Sequence, residues 1–123
     1  MTRVLIIDDE DLVRRAIRFT LEKAGFEAVD LASGRQAVDR LDGIDPDLVI
    51  VDLVMPDQDG FDTIAQIQEK NPAMRIIAVT GGGPTGPDRL LQRVSAMGVA
   101  WALKKPVDRD DLIAAVKAAT GRE

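Results

Sequence analysis

A chain of 123 residues has room for one domain with one core, and 46% hydrophobic with 30% charged residues places it among globular rather than disordered sequences. Its formal net charge of -5 argues against direct nucleic-acid binding, which needs a dense basic face. Cysteine and histidine are both absent, which excludes a disulfide framework, thiolate metal sites and histidine-based catalysis or ligation within the chain.

The apolar run Val4–Ile7 predicts a strand buried on both faces. Asp11–Ala24 has helical periodicity, with Val13, Ala16, Ile17, Phe19, Thr20, Leu21 and Ala24 on or near the inner face and Gly25 as the stop. Ala28–Leu31 is a weaker strand. Ser33 with Gln36 resembles a capping box opening a short helix, Gly34–Leu41, with Ala37, Val38 and Leu41 inward. Pro46 precedes the strand Leu48–Val51. A third helix is expected from about Phe61 to Lys70, with Ile64 and Ile67 inward and Asn71-Pro72 ending it. Arg75–Val79 is a strand, and Gly81–Pro87 has the composition of a loop. Asp88–Met97 is helical and stops at Gly98. Trp101–Lys104 is the fifth strand, and Asp108 can cap a last helix to about Thr120 carrying Leu112, Ile113, Val116 and Ala119 on one face.

A strand–helix unit repeated five times predicts an α/β fold: a five-stranded parallel sheet with helices on both faces. No linker, internal repeat or low-complexity tail interrupts it, so one domain over residues 1–123 is expected, with no output domain on this chain. No apolar run approaches membrane-spanning length, and the segment from Met1-Thr2-Arg3 is too short and too acidic for a signal peptide. With the lack of cysteine, this fits a cytoplasmic location and no membrane partner.

Asp8, Asp9, Asp52, Thr80 and Lys105 all fall at the carboxyl ends of predicted strands, where open parallel sheets gather their ligands. Three acids at the ends of buried strands are costly unless a cation sits among them. Asp9 and Asp52 can offer two carboxylates to Mg²⁺, or to Mn²⁺, with Asp8 bound directly or through water and the Val54 backbone carbonyl as a further oxygen. One ionised carboxylate can attack phosphorus and form an acyl phosphate. Lys105 and Thr80 are the candidates to neutralise oxygens of the moving phosphoryl group. Asp57, Asp59 and Glu10 read as turn and cap residues, with Glu10 close enough to tune the acids. Lys104 reads as solvated.

These residues resemble the receiver domains of two-component response regulators, the CheY-like receiver family. Asp8-Asp9 is similar to the family's acidic pair, and Asp52-Leu53-Val54-Met55-Pro56-Asp57-Gln58-Asp59-Gly60 to its phosphoacceptor turn. Thr80 after Ile76-Ile77-Ala78-Val79 resembles the switch hydroxyl, and Lys105-Pro106 the lysine with its usually cis proline. The resemblance runs from Arg3 to about Thr120. It implies a (βα)5 flavodoxin-like fold with strand order 2-1-3-4-5. It also implies a Mg²⁺-dependent bacterial phosphoprotein: Asp52 takes a phosphoryl group from a phosphohistidine on a histidine kinase or histidine phosphotransfer protein. Thr80 and Lys105 then engage that group, and the face formed by the fourth helix, fifth strand and fifth helix switches its binding of a downstream protein. Monomer or phosphorylation-dependent dimer is the implied state.

The chain departs from the family at Ala102, where an aromatic is usual. Trp101 is adjacent, and neighbouring strand residues point to opposite faces, so it does not replace the missing ring. Gly81 opens the site beside Thr80. Thr80, Gly81, Ala102 and Pro106 are therefore the expected switch positions. A receiver cut from a longer transcriptional regulator or hybrid histidine kinase is an alternative. A metal-dependent phosphotransferase or phosphatase of the haloacid-dehalogenase type is disfavoured, because Val54 stands where its second acid would be.

Overall fold

The structure, a computed structural model, describes residues 2–55, 59–81 and 87–121. The elements alternate as β1 (Arg3–Ile7), α1 (Asp11–Lys23), β2 (Glu27–Leu31), α2 (Gly34–Ile44), β3 (Leu48–Asp52), α3 (Gly60–Lys70), β4 (Arg75–Thr80), α4 (Pro87–Ala96), β5 (Trp101–Lys104) and α5 (Arg109–Thr120). The strands form one parallel sheet in the order β2-β1-β3-β4-β5. This is the expected architecture.

Parallel strands covered on both faces need apolar residues at every position, and β3 is buried along its whole length. Alternate residues feed two cores. Leu5, Ile7, Val49, Val51 and Ala78 pack with Ala37, Val38 and Leu41 of α2, Ile64 and Ile67 of α3 and Val94 of α4. Val4, Ile6, Ile50, Ile77 and Val79 pack with Ile17 and Leu21 of α1 and Leu112, Val116 and Ala119 of α5. The chain leaves β1 toward β2 on one side and returns to β3 on the other. The carboxyl ends of β1 and β3 therefore flank the crevice where the connections diverge.

Local signals set the helix ends. Ser33 Oγ accepts from Gln36 N–H at 3.3 Å, Asp59 from Asp62 N–H at 2.8 Å and Asp108 from Asp111 N–H at 3.1 Å. Gly25 and Gly98, just past α1 and α4, take positive φ of 93° and 85°. α2 runs past the expected end at Leu41 because Ile44 is also buried, and Asp45 then stops it at φ 50°.

The expected inner face of α1 needs correction. Arg14, Ile17 and Leu21 form the buried stripe, whereas Phe19 is 60% exposed and Ala16 and Ala24 are exposed. Phe19 lies about 200° around the helix from Ile17, so both cannot face the sheet. The Lys23 ammonium lies 5.1 Å from the Phe19 ring instead. Residues 56–58, in the connection from β3 to α3, and residues 82–86 of the expected loop lie outside the described residues.

Candidate functional site: acids and a lysine at the strand ends

β1 delivers Asp8 to the end of the sheet as a buried residue, 2% exposed. Its N–H donates to the Leu31 carbonyl at 3.2 Å, and its Oδ1 accepts from Glu10 N–H at 2.9 Å. β3 delivers Asp52, 3% exposed, with Oδ1 accepting from Val54 N–H at 3.2 Å. Gly60 makes this turn possible. A Cβ there would lie 2.3 Å from the Asp52 carbonyl oxygen and 2.4 Å from Leu53 Cα. The Gly60 N–H also donates to the Leu53 carbonyl at 3.0 Å, tying the start of α3 to the end of β3.

β4 ends in buried Thr80, whose carbonyl accepts from Lys105 N–H at 2.8 Å. The lysine stem then runs past Gly81, where a Cβ would lie 2.9 Å from Lys105 Cδ. Its ammonium converges on three carboxylates: Glu10 Oε1 at 2.8 Å, Asp8 Oδ2 at 3.2 Å and Asp52 Oδ2 at 3.2 Å. The Lys105–Pro106 peptide is cis.

The structure thus brings together Asp8, Asp52 and Lys105, with the Thr80 backbone joined to the lysine. It does not bring Asp9 into the same cluster. Among the described residues the clustered acids are Asp8, Glu10 and Asp52, with carboxylate oxygens within 4.8 Å of one another. Glu10 occupies the N-cap position of α1, as its reading as a cap residue implies, but its side chain makes no cap hydrogen bond and reaches Lys105 instead. The three consecutive acids Asp8-Asp9-Glu10 were the available signal; which of them turns inward is a matter of the loop's path. Val54 is 48% exposed, with its N–H on Asp52. Trp101 and Leu103 pack toward the α1–α5 core while Ala102 and Lys104 are exposed, so Trp101 lies on the opposite face from Ala102.

Sequence reading missed Arg14. Its guanidinium is held nearly buried by Asp30 Oδ2 at 2.7 Å, Asp11 Oδ1 at 2.8 Å and the Asp8 carbonyl at 3.0 Å. It ties α1, β2 and the end of β1 together. Burial pushes Asp30 up, but hydrogen bonds from Arg14 and Arg18 outweigh it and hold Asp30 below the usual carboxylate range.

Burial also dominates at Asp52 and, with the Asp8 charge, raises its pKa to about 6 against the pull of Val54 N–H and Lys105. For Lys105, burial favours loss of the proton. The Glu10 hydrogen bond and the Asp52 and Asp8 charges overturn that and keep it protonated well above its ordinary range. The site therefore pairs a fixed cation with a carboxylate that is a base or nucleophile above about pH 6. Asp8 Oδ2 is buried and accepts no hydrogen bond, although the ammonium lies 3.2 Å away. A buried carboxylate oxygen with unused capacity, in an all-oxygen donor set, fits a hard divalent cation.

Residues 4–117 match the family described as the response regulator receiver domain. The chain is 30% identical over 120 residues to the chemotaxis protein CheY of Listeria monocytogenes, covering 97% of this chain and 98% of that one. It is 36% identical over 121 residues to the transcriptional regulatory protein PdtaR of Mycobacterium tuberculosis, covering 98% of this chain and 57% of that one. The crystal structure of a response regulator receiver domain protein from Clostridium thermocellum superposes with a TM-score of 0.88 at 30% identity, over 98% of this chain and 95% of that one. No helix among the described residues is long and apolar enough to cross a membrane.

Proposed function

This chain belongs to the response regulator receiver family, and on that premise we propose that Asp52 is its phosphoacceptor, taking a phosphoryl group from a phosphohistidine on a histidine kinase or histidine phosphotransfer protein. The observation that carries this reading is the convergence of Lys105 on buried Asp52 and Asp8 at the carboxyl ends of β5, β3 and β1. Asp52 is raised only to about 6, so it is ionised at neutral pH, and burial leaves it poorly solvated, as a nucleophile should be. A carboxylate oxygen of Asp52 bonds to phosphorus as the P–N bond breaks and its electron pair returns to the imidazole. Lys105 then neutralises a phosphoryl oxygen, with the Thr80 hydroxyl as the second partner.

A bound Mg²⁺ or Mn²⁺ supplies charge neutralisation for the phosphoryl oxygens. Asp8, Asp9 and Asp52, with the Val54 carbonyl, are the residues that would hold it. Hydrolysis of the acyl phosphate resets the switch, and the domain acts as a binding module rather than a turnover enzyme. The face of α4, β5 and α5 is the surface to engage a downstream protein, as monomer or phosphorylation-dependent dimer. The chain spans nearly all of the CheY relative but about half of PdtaR, so a role within a longer regulator is the second reading.

The test is intact mass after incubation with acetyl phosphate and Mg²⁺, and with a phosphorylated kinase. A phosphoryl adduct on the parent, missing from Asp52→Asn and missing with EDTA, is expected. An equal adduct on Asp52→Asn, or none from either donor, overturns the reading.

A further inference from the structure

We propose that Glu10 determines phosphodonor specificity: its carboxylate holds Lys105 at the mouth of the site and disfavours small free phosphate donors. The inference rests on the reading of Lys105 as a phosphoryl partner. A lysine ammonium has three N–H donors; here two go to Glu10 and Asp52, and buried Asp8 Oδ2 lies 3.2 Å away as an ion-pair partner.

Asp8 and Asp52 are the anchored members. Each is buried, and each has its other oxygen fixed by a backbone N–H, from Glu10 and from Val54. Glu10 differs from both. Its side chain is 58% exposed, caps nothing, and has water as an alternative partner. Its contact with Lys105 is nonetheless the shortest of the three, at 2.8 Å. The reach depends on Gly81. A Cβ there would press on Lys105 Cδ at 2.9 Å and deflect the stem that carries the ammonium to Glu10.

Glu10 therefore acts twice on an incoming donor. It occupies one lysine N–H, and it adds a negative charge at the rim against a phosphate dianion. A protein donor can bring its own cations or hydrogen-bond donors to meet Glu10. A small donor cannot. Removing the charge should speed transfer from acetyl phosphate about fivefold, the upper range for a partly exposed pair. Transfer from a phosphorylated protein should change less.

The experiment compares the parent with Glu10→Gln and Gly81→Ala for initial rates of Asp52 phosphorylation from acetyl phosphate at saturating Mg²⁺, with Mg²⁺ affinity measured by calorimetry. Faster labelling of Glu10→Gln, a smaller gap in high salt and undiminished Mg²⁺ affinity support the proposal. Gly81→Ala should not reproduce the gain, because the deflected stem also carries the ammonium to Asp52. Equal rates in Glu10→Gln and parent overturn it, including no labelling of either. A slower Glu10→Gln with weakened Mg²⁺ affinity also overturns it, because Glu10 would then be a metal ligand. An adduct that persists in Asp52→Asn refutes instead the reading on which it rests.

Discussion

Asp52→Asn should make the protein more stable at neutral pH, although it removes the proposed reactive group. The Asp52 pKa rises from 3.8 to about 6 on folding, chiefly through burial. Between those values the folded state binds more protons than the unfolded one, so stability falls as pH rises through that window. A gap of roughly two on the pH scale, at about 1.4 kcal/mol each, places the penalty on ionised Asp52 near 3 kcal/mol. Asn removes the charge, and its amide oxygen can still accept from Val54 N–H. Lys105 keeps Asp8 and Glu10. The variant should therefore be more stable by up to about 3 kcal/mol above pH 6, or roughly 10 °C in Tm for a domain of this size. The advantage should shrink below pH 6 and vanish below about pH 4. The assay is urea unfolding in EDTA-containing buffer across pH 4 to 8, followed by the fluorescence of Trp101, the chain's single tryptophan. Parent and variant share every other carboxylate, so only the difference between them is interpreted. A gap that is absent at pH 7, or that does not close on acidification, would refute the burial argument.

Gly60→Ala should lose at least about 1–3 kcal/mol in urea unfolding, because its Cβ would strike backbone rather than a movable side chain. A loss under about 0.5 kcal/mol would show that the β3–α3 junction yields easily. Arg14→Met should destabilise by about 3 kcal/mol, at the lower end for a broken buried pair because Arg18 still holds Asp30. That loss should persist in high salt; one that disappears would mark an exposed pair. Asp59→Ala should cost about 1 kcal/mol through the lost α3 cap, read as a shift in urea midpoint at unchanged slope. No shift would assign the helix start to Gly60 packing alone.

What the chain determined by itself was local. Apolar runs such as Val4–Ile7 and Leu48–Val51 specify buried strands because every position must meet a covering helix or a neighbouring strand. Ser33, Asp59 and Asp108 mark helix starts because capping joins residues three apart. The acids and the lysine were recognisable as strand-end residues for the same reason, and the family's strand order agreed with the sheet observed.

The tertiary structure decided what depends on distant partners. Arg14 faces inward and Phe19 outward because Asp30 on β2 supplies a charge partner that no helical pattern displays. α2 continues to Ile44 because burial against the sheet outweighs the weak helix propensity of Gly43. Glu10 rather than Asp9 joins Asp8 and Asp52 because Lys105, 95 positions away, lies where the Glu10 side chain can reach it. Strand ends can be read from periodicity, but the contacts made there depend on loop path, side-chain reach and which strands lie side by side.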